Sequence, residues 1–490
     1  MARGTIEVYP NLEFATINPN LFGHFAEHLG ECIYGGIWVG PDSPIPNTDG
    51  IRNDIIGLLR AMKAPVIRWP GGCFADDYHW TDGIGPREGR PRRINIHWGE
   101  VIETNHFGTH EFLRLCELVG AEPYICGNVG SGSPRELRDW VEYVNFPGDS
   151  TLALQRGANG HGAPFNVRCW GVGNENWGCG GHFGPEDYAK EYKRFASFLR
   201  GFGQPLDLIA CGPAGNDTGW TRRFLTELGG YRHLHGFAAH YYCGTAGAST
   251  QYTESQWYQL LEQAIRMERL VTQQRAILDG FDPDRRIALI VDEWGSWHPA
   301  EAGRNPAFLW QQNTIRDGLV AALTLDIFCR QADKVQMGNI AQTFNVLQAM
   351  ALTEGDQMVV TPTGHVFAMY APHQRGRAVT LRVETDAVGP EPHRLPRLSG
   401  SASVNGRKLF VTLVNADAGE PAEAKIKLVG GAQAQGGTLT LLAGESIRAY
   451  NTFEQPAAVA PVTAPLRAGW DRFTVTLPPA SVAALAIELA

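Results

Sequence analysis

Short apolar runs alternate with longer amphipathic segments from about residue 19 to residue 342. Eight such runs each precede a loop and, in most cases, a segment with the periodicity of a helix. The runs cover residues 21–25, 66–71, 123–129, 169–173, 208–211, 236–241, 287–292 and 335–340. This alternation is typical of βα units around a parallel sheet, and eight units predict a (β/α)8 TIM barrel.

The predicted helices also carry local signals. Ser133, Pro134 and Glu136 have the spacing of a capping box with proline in the first helical position. After Pro185, apolar and aromatic residues recur every three or four positions, which predicts one buried stripe on a helix. The stripe consists of Tyr188, Tyr192, Phe195, Phe198 and Leu199.

The pattern changes after about residue 375, where short runs alternate apolar and polar residues between Gly, Pro and Asp. These runs are 378–384, 402–404, 408–415, 424–428, 437–442, 446–450 and 472–477. The opening segment 4–9 alternates in the same way, and we expect it to pair with them. The chain is thus predicted to fold as an α/β barrel over residues 16–375 and a jelly-roll-like β-sandwich formed by residues 1–15 and 376–490.

Composition limits the class of protein. The formal charge of −9 argues against a nucleic-acid partner, and 43% hydrophobic residues exclude extensive disorder. The nine cysteines are an odd number without a C-x-x-C pair, so we expect reduced thiols. The first residues lack an apolar signal segment, and no run approaches the roughly 18 apolar residues of a membrane span. We therefore expect a soluble cytoplasmic protein without a membrane partner.

Two glutamates follow predicted barrel strands. Glu175 ends the fourth run in the sequence GNENW, and Glu293 ends the seventh in VDEW. Active sites of such barrels lie at the C-terminal ends of the strands. Cleavage of a glycosidic bond requires one group that protonates the departing oxygen and another that attacks or activates water at the anomeric carbon. The two carboxylates therefore indicate a glycoside hydrolase.

Five ordered motifs strengthen this interpretation: FGHFAEH at 22–28, IRWPGGCFA at 67–75, GNENWGCGG at 173–181, VDEW at 291–294 and NIAQ at 339–342. Together they resemble the α-L-arabinofuranosidases of glycoside hydrolase family 51. The resemblance implies a retaining, exo-acting enzyme that removes terminal arabinofuranosyl residues from arabinoxylan- or arabinan-derived oligosaccharides. It also implies a homo-oligomer, as a hexamer, and no cofactor or metal.

The resemblance further implies roles for individual residues. Glu175 would be the general acid/base and Glu293 the nucleophile, with carboxyl groups about 5–5.5 Å apart, as retention requires. Asn174 would hold the sugar 2-hydroxyl. Arg68 and Tyr242 would bind the nucleophile and keep it ionised, and Tyr242 would also contact the sugar.

Further residues are expected around the sugar. Those that would hold the furanose hydroxyls or line the same pocket are Glu27, Cys73, Gln342, Trp98, Trp297 and Asn128. Cys73 departs from the many family members that have Asn there, and a thiol is a weak hydrogen-bond donor. A plain buried cysteine is the alternative.

Three other functions remain open from the sequence. The segment His24-Phe25-Ala26-Glu27-His28 fits the H-x-x-E-H zinc motif of some peptidases, although no helix is predicted to orient it. A carbohydrate-binding protein without catalysis could use the same aromatic cleft. A related barrel could act on β-xylosides or β-glucans, because a fold does not fix a substrate.

Overall fold

Eight parallel strands close into a barrel in the computed structural model, which describes residues 2–467 and 471–490. In chain order the strands are Gly23–Phe25, Val66–Trp69, Glu122–Gly127, Cys169–Val172, Asp207–Ala210, Gly236–Gly244, Ala288–Trp297 and Val335–Ala341. We number them first to eighth. Their order around the barrel follows the chain, and each predicted run overlaps one strand, so the predicted barrel is confirmed.

Helices connect and cover these strands. The α-helices in the described residues are α1 (Asn53–Ala61), α2 (Thr109–Val119), α3 (Pro134–Asn145), α4 (Thr151–Ala158), α5 (Pro185–Ala196), α6 (Thr218–Leu228), α7 (Glu254–Ile265), α8 (Met267–Phe281), α9 (Ile315–Arg330) and α10 (Pro362–Tyr370). None of these helices combines the length and the apolar character that crossing a membrane requires.

Two local predictions for the helices are only partly correct. Ser133 caps α3 by accepting the Glu136 N–H at 3.2 Å, but the Glu136 carboxylate contacts His79 at 2.7 Å and does not complete the capping box. In the predicted stripe, Tyr188, Tyr192, Phe195 and Leu199 are buried. Phe198 is 56% exposed because α5 ends at Ala196, before the helical periodicity reaches it.

The second part of the chain forms a nine-stranded curled sheet with its own core. Its strands are Ala2–Thr16, Arg377–Glu384, Leu398–Asn405, Lys408–Asn415, Ala422–Leu428, Ala434–Leu442, Val462–Leu466, Arg472–Leu477 and Ser481–Leu489. The N-terminal strand pairs antiparallel with Arg377–Glu384 and parallel with Ala422–Leu428. The predicted fold class, a barrel with a C-terminal all-β unit, is confirmed, and we retain domain limits at residues 15/16 and 375/376 as a proposal.

One predicted strand is wrong. Residues 446–450 form a turn, not a strand, and they bind barrel elements. The Ala449 carbonyl accepts the N–H of Ile315, the first residue of α9, at 2.9 Å, and the Ile447 carbonyl accepts the Tyr252 hydroxyl. The alternating pattern therefore arises from packing against the barrel and not from pairing in the sheet.

The longest connection that shapes the site follows the second barrel strand. It contains three 3₁₀ turns, Cys73–Asp76, Trp80–Gly83 and Arg87–Gly89, and a hairpin formed by Arg93–Asn95 and Val101–Glu103. The first of these turns lies against the loops after the third and fourth strands, and Trp98 in the hairpin contacts Glu27 after the first strand. These contacts bring residues distant in sequence to one end of the barrel.

Candidate active site

The two glutamates meet at the C-terminal end of the barrel. Glu175 follows the fourth strand, and Glu293 lies within the seventh. His240 is the register partner of Glu293 on the sixth strand, and its Nδ1 lies 2.9 Å from Glu175 Oε1 and 3.3 Å from Glu293 Oε2. Oxygen atoms of the two carboxylates are within 4.8 Å of one another. The structure thus brings together two groups more than a hundred positions apart in the sequence.

Glu293 is buried and surrounded by donors. Arg68 Nη1 donates to Glu293 Oε2 at 3.0 Å, and the Tyr242 hydroxyl donates to Glu293 Oε1 at 2.6 Å. Burial raises the pKa of Glu293 and the charge of Glu175 adds to the rise, whereas His240, Arg68 and Tyr242 oppose it. Two cationic side chains and one hydroxyl therefore favour the carboxylate form against the cost of burial.

His240 links the pair to Asp292. The His240 Nε2 atom is 3.1 Å from Asp292 Oδ1, and the Tyr124 hydroxyl donates to Asp292 Oδ2 at 2.7 Å. Burial disfavours the charged imidazole, but Glu293, Asp292 and Glu175 together raise the pKa of His240 to about 10. Although burial acts the other way, Arg68 and His240 lower the pKa of Asp292 to about 2. His240 is therefore an imidazolium at neutral pH, in contact with Glu293, Asp292 and Glu175.

Glu27 anchors the other side of the pocket. Its Oε1 atom accepts the Gly72 N–H at 3.0 Å, the Phe74 N–H at 3.1 Å and the Trp98 indole N–H at 3.0 Å. Gln342, after the eighth strand, donates to Glu27 Oε2 at 2.7 Å. Burial, with a further contribution from Glu293, raises the pKa of Glu27 to about 7 despite these donors.

Asn174 lies beside Arg68 and Glu293 in the pocket. Its Oδ1 atom accepts from Arg68 Nη2 at 2.5 Å. A Cβ atom at Gly72 would lie 3.5 Å from Asn174 Nδ2 and 3.3 Å from Glu293 Oε2, so glycine leaves free the space that both side chains face. The amide nitrogen of Asn174 and the Glu293 carboxylate thus border the same space.

Comparison with known proteins agrees with this geometry. Residues 58–259 match the α-L-arabinofuranosidase 1 domain model, and residues 292–481 match the α-L-arabinofuranosidase C-terminal domain model. An intracellular exo-α-L-arabinofuranosidase from Bacteroides ovatus is 43% identical over 93% of this chain and 90% of its own.

The chain belongs to the α-L-arabinofuranosidases of glycoside hydrolase family 51. It is therefore a glycoside hydrolase. The crystal structure of the family 51 arabinofuranosidase from Xanthomonas axonopodis pv. citri is similar over the full length of both chains, with a TM-score of 0.96 and 42% identity. An α-L-arabinofuranosidase from Thermotoga maritima, solved as an arabinose complex, covers 99% of this chain and 100% of its own at 30% identity, with a TM-score of 0.89.

The prediction of reduced cysteines is wrong at one pair in this arabinofuranosidase. Cys73 and Cys179 form a disulfide between the loops after the second and fourth strands, and Cys179 Sγ lies 3.7 Å from Glu175 Oε2. The other seven cysteines are free and buried. Cys73 therefore has no S–H group to donate to a sugar, and the bridge instead forms part of the wall beside Glu175.

Two other residues that were predicted to line the pocket have different surroundings. Trp297 lies at the end of the seventh strand, is 37% exposed and packs edge-on against Tyr242 with 5.0 Å between ring centroids. Asn128 is held within its own loop, where Oδ1 accepts the N–H groups of Ser131 and Gly132 and Nδ2 donates to the Tyr78 carbonyl. Trp297 is thus available at the rim, whereas the polar atoms of Asn128 already have partners.

The zinc motif does not assemble in the described residues. His24 is buried against Phe367 without a hydrogen-bond partner, and burial lowers its pKa to about 3. His28 Nδ1 binds Glu103 at 2.8 Å, and His28 Nε2 accepts from the Trp69 indole at 3.1 Å. Glu27 faces the pocket described above, so the three side chains point to different partners.

Sequence reasoning missed His240, Asp292 and Asp76. His240 lies inside the sixth run, 236–241, so a search limited to polar residues after each run did not include it. Asp292 precedes Glu293 and appeared only as part of a motif. Asp76 lies in a loop, and its sequence carries no signal of its long-range partners.

Proposed function

We propose that the protein is a retaining, exo-acting α-L-arabinofuranosidase in which Glu175 is the general acid/base and Glu293 the nucleophile. The observation that carries this proposal is the contact of both carboxylates with His240 Nδ1, with their oxygens within 4.8 Å. Retaining glycosidases have carboxyl groups about 5–5.5 Å apart, whereas inverting enzymes need about 6.5–9.5 Å to admit water. The short separation supports retention.

In the first step, protonated Glu175 donates its proton to the glycosidic oxygen while Glu293 attacks the anomeric carbon. The bond from that carbon to the glycosidic oxygen breaks, an ester bond to Glu293 forms, and the rest of the oligosaccharide leaves as an alcohol. Arg68 and Tyr242, both in contact with Glu293, orient the attacking oxygen and stabilise its charge before the attack.

In the second step, the Glu175 carboxylate removes a proton from water, whose oxygen attacks the same carbon from the side the leaving group vacated. The ester bond breaks, Glu293 regains its charge, and arabinose leaves with its original anomeric configuration. Glu175 is again protonated, so the cycle closes without a cofactor.

The remaining pocket residues hold the sugar in this proposal. Asn174, beside the nucleophile, binds the 2-hydroxyl, where hydrogen bonds strengthen in the transition state. Glu27 and Gln342 bind hydroxyls on the opposite side, and Trp98 fixes Glu27. Trp297 is exposed at the rim and contacts the departing part of the substrate. Cys73 contributes the wall formed by its disulfide.

The name of one relative supports the proposed cellular setting. The Bacteroides ovatus protein is named an intracellular exo-α-L-arabinofuranosidase, which supports a cytoplasmic enzyme acting on terminal residues. Short oligosaccharides from arabinoxylan or arabinan are then the substrates, because polymers do not enter the cytoplasm. We also propose a homo-oligomer, as a hexamer, and light scattering against the subunit mass of 53.7 kDa tests it.

The decisive experiment compares initial rates on aryl α-L-arabinofuranoside and aryl β-D-xyloside, with and without excess chelator. We expect chelator-insensitive release from the arabinofuranoside, and proton NMR should detect the retained anomer first. Release from the xyloside alone would favour the related β-glycosidase function. Binding without release from either would favour the non-catalytic alternative.

Two variants assign the glutamates. Glu293→Gln should lower kcat at least about a thousandfold, because a neutral amide cannot form the glycosyl ester. Glu175→Gln should lose most activity on unactivated substrates and less on activated aryl glycosides. Glu88→Gln, an exposed glutamate in the loop after the second strand, serves as the control and should retain full activity. Normal turnover of Glu293→Gln contradicts the assignment.

A further inference from the structure

The carboxylate of Asp76 joins three loops at the C-terminal end of the barrel. Asp76 ends the 3₁₀ turn after the second strand and is only 3% exposed. Its Oδ1 atom accepts the N–H groups of Val129 at 2.7 Å and Gly130 at 2.8 Å, in the loop after the third strand. Its Oδ2 atom accepts the N–H of Asn174 at 2.9 Å, after the fourth strand. One side chain thus links three loops through hydrogen bonds.

Glycines allow the backbone to approach this carboxylate. A Cβ atom at Gly180 would lie 2.3 Å from Asp76 Oδ2 and 2.1 Å from the Asn174 carbonyl oxygen. A Cβ atom at Gly130 would lie 2.9 Å from the Asp76 Cβ atom and main-chain oxygen. Any side chain at these two positions would push the loops away from Asp76, so the close packing depends on glycine.

The segment held by Asp76 carries the acid/base residue. Asn174 binds Asp76 through its backbone and Arg68 through its side chain, and Glu175 follows directly. Glu175 has a φ of +40°, in the left-handed region that side chains other than glycine seldom adopt. Such a conformation persists only where surrounding contacts impose it. The contact of Asp76 with the preceding N–H supplies one of them.

The cost of keeping this carboxyl group buried argues for a specific role. No side chain cation makes an ion pair with Asp76 in residues 2–467 and 471–490, and its hydrogen-bond partners there are backbone N–H groups and, at 3.5 Å, the Asn176 amide. Burial raises the pKa of Asp76 to about 7, which these backbone donors oppose. An apolar residue would fill the space without this cost but could not accept the three N–H groups.

We propose that Asp76 is a positioning residue that directs the Glu175 carboxyl group toward the glycosidic oxygen. It acts through the Asn174 peptide and does not touch the substrate. The proposal rests on the proposed function, because it assumes that Glu175 delivers the proton to the leaving group. A displaced acid should slow those reactions that need protonation of the leaving group and leave the others nearly unchanged.

The test is Asp76→Asn, assayed for kcat/KM on arabinofuranosides of different leaving groups. The amide presents N–H groups toward one set of donors, so the Asn174 N–H or the Val129 and Gly130 N–H groups lose their acceptor. On an activated dinitrophenyl arabinofuranoside we expect kcat/KM within threefold of the unmodified protein. On an alkyl arabinofuranoside or an arabino-oligosaccharide we expect it at least thirtyfold lower.

Two further variants provide a control and a second way to disturb the Asp76 contact. Asp82→Asn removes a carboxylate of the same connection that pairs with Arg93 at 2.8 Å, and it should leave the leaving-group dependence unchanged. Gly180→Ala disturbs the Asp76 contact from the other side, and it should reproduce the selective loss even if Asp76→Asn folds poorly. Circular dichroism and thermal unfolding check that each variant is folded.

The outcomes separate the two proposals. A selective loss on poor leaving groups in Asp76→Asn supports the positioning role, and Gly180→Ala takes its place only if Asp76→Asn does not fold. Equal losses on all leaving groups, or no loss, would overturn it and leave Asp76 as a structural brace. If the unmodified protein releases nothing from any arabinofuranoside, the proposed function itself fails, whatever the variants do.

Discussion

Replacement of His240 by Gln tests the electrostatics of the site most directly. His240 contacts Glu175, Glu293 and Asp292, and no other cation except Arg68 contacts these carboxylates within the described residues. Gln can donate one hydrogen bond in the same direction but carries no charge. The variant therefore leaves the buried Glu293 and Asp292 with Arg68 as their single cationic partner in the described residues.

The magnitude follows from the pKa of His240, which rises from its ordinary value of 6.5 to about 10 in the folded protein. A group whose pKa is higher in the folded protein than in the unfolded chain stabilises the fold fully at pH values below its unfolded pKa. This contribution disappears as the pH rises through its folded pKa. Within that window each pH unit corresponds to about 1.4 kcal/mol. Between pH 7 and pH 9 the unmodified protein should therefore lose roughly 2–3 kcal/mol of unfolding free energy that His240→Gln does not lose.

The assay is urea unfolding at pH 7 and pH 9, followed by tryptophan fluorescence, on the unmodified protein, His240→Gln and the control His79→Gln. His79 is half-exposed and pairs with Glu136 away from the three carboxylates. Groups that His240 does not contact, such as Glu27 with its pKa of about 7, titrate in all three proteins and cancel in the comparison. An identical pH dependence in the unmodified protein and His240→Gln would refute the assignment of an imidazolium.

Three further predictions address the pocket and its wall. Trp98→Phe removes the 3.0 Å hydrogen bond to Glu27. Because a hydrogen bond to a charged group contributes about 1.5–3 kcal/mol, kcat/KM for the arabinofuranoside should fall at least about tenfold. An unchanged value would show that Glu27 does not hold the sugar. Gly72→Ala places a methyl group 3.3 Å from Glu293 Oε2, so kcat/KM should fall more than tenfold. The free energy of unfolding in urea should change by less than about 1 kcal/mol. Full activity would mean that the sugar does not occupy this space. Thiol titration of protein unfolded without reductant should detect seven thiols, because Cys73 and Cys179 are paired, and nine would contradict the disulfide.

Most of the fold could be predicted from local patterns of apolar and polar residues. The eight apolar runs coincide with the eight barrel strands because a strand buried on both faces must be apolar along its length, whatever its partners are. Glu175 and Glu293 could be found because polar residues directly after such runs lie at the C-terminal end of a barrel. The strand predicted at 446–450 was wrong because an alternating pattern indicates only that one side of a segment is buried. Packing against the barrel produces the same alternation as pairing in a sheet.

The sequence by itself therefore determined the barrel, the all-β unit and the two candidate catalytic carboxylates. Only the tertiary structure decided that Cys73 and Cys179, 106 positions apart, form a bridge, that His240 carries a charge, and that Asp76 holds the Asn174 backbone. Periodicity is a property of neighbouring residues and can be read along the chain. The charge of His240 and the partners of Asp76 depend on distances between loops, which exist only when the barrel has closed.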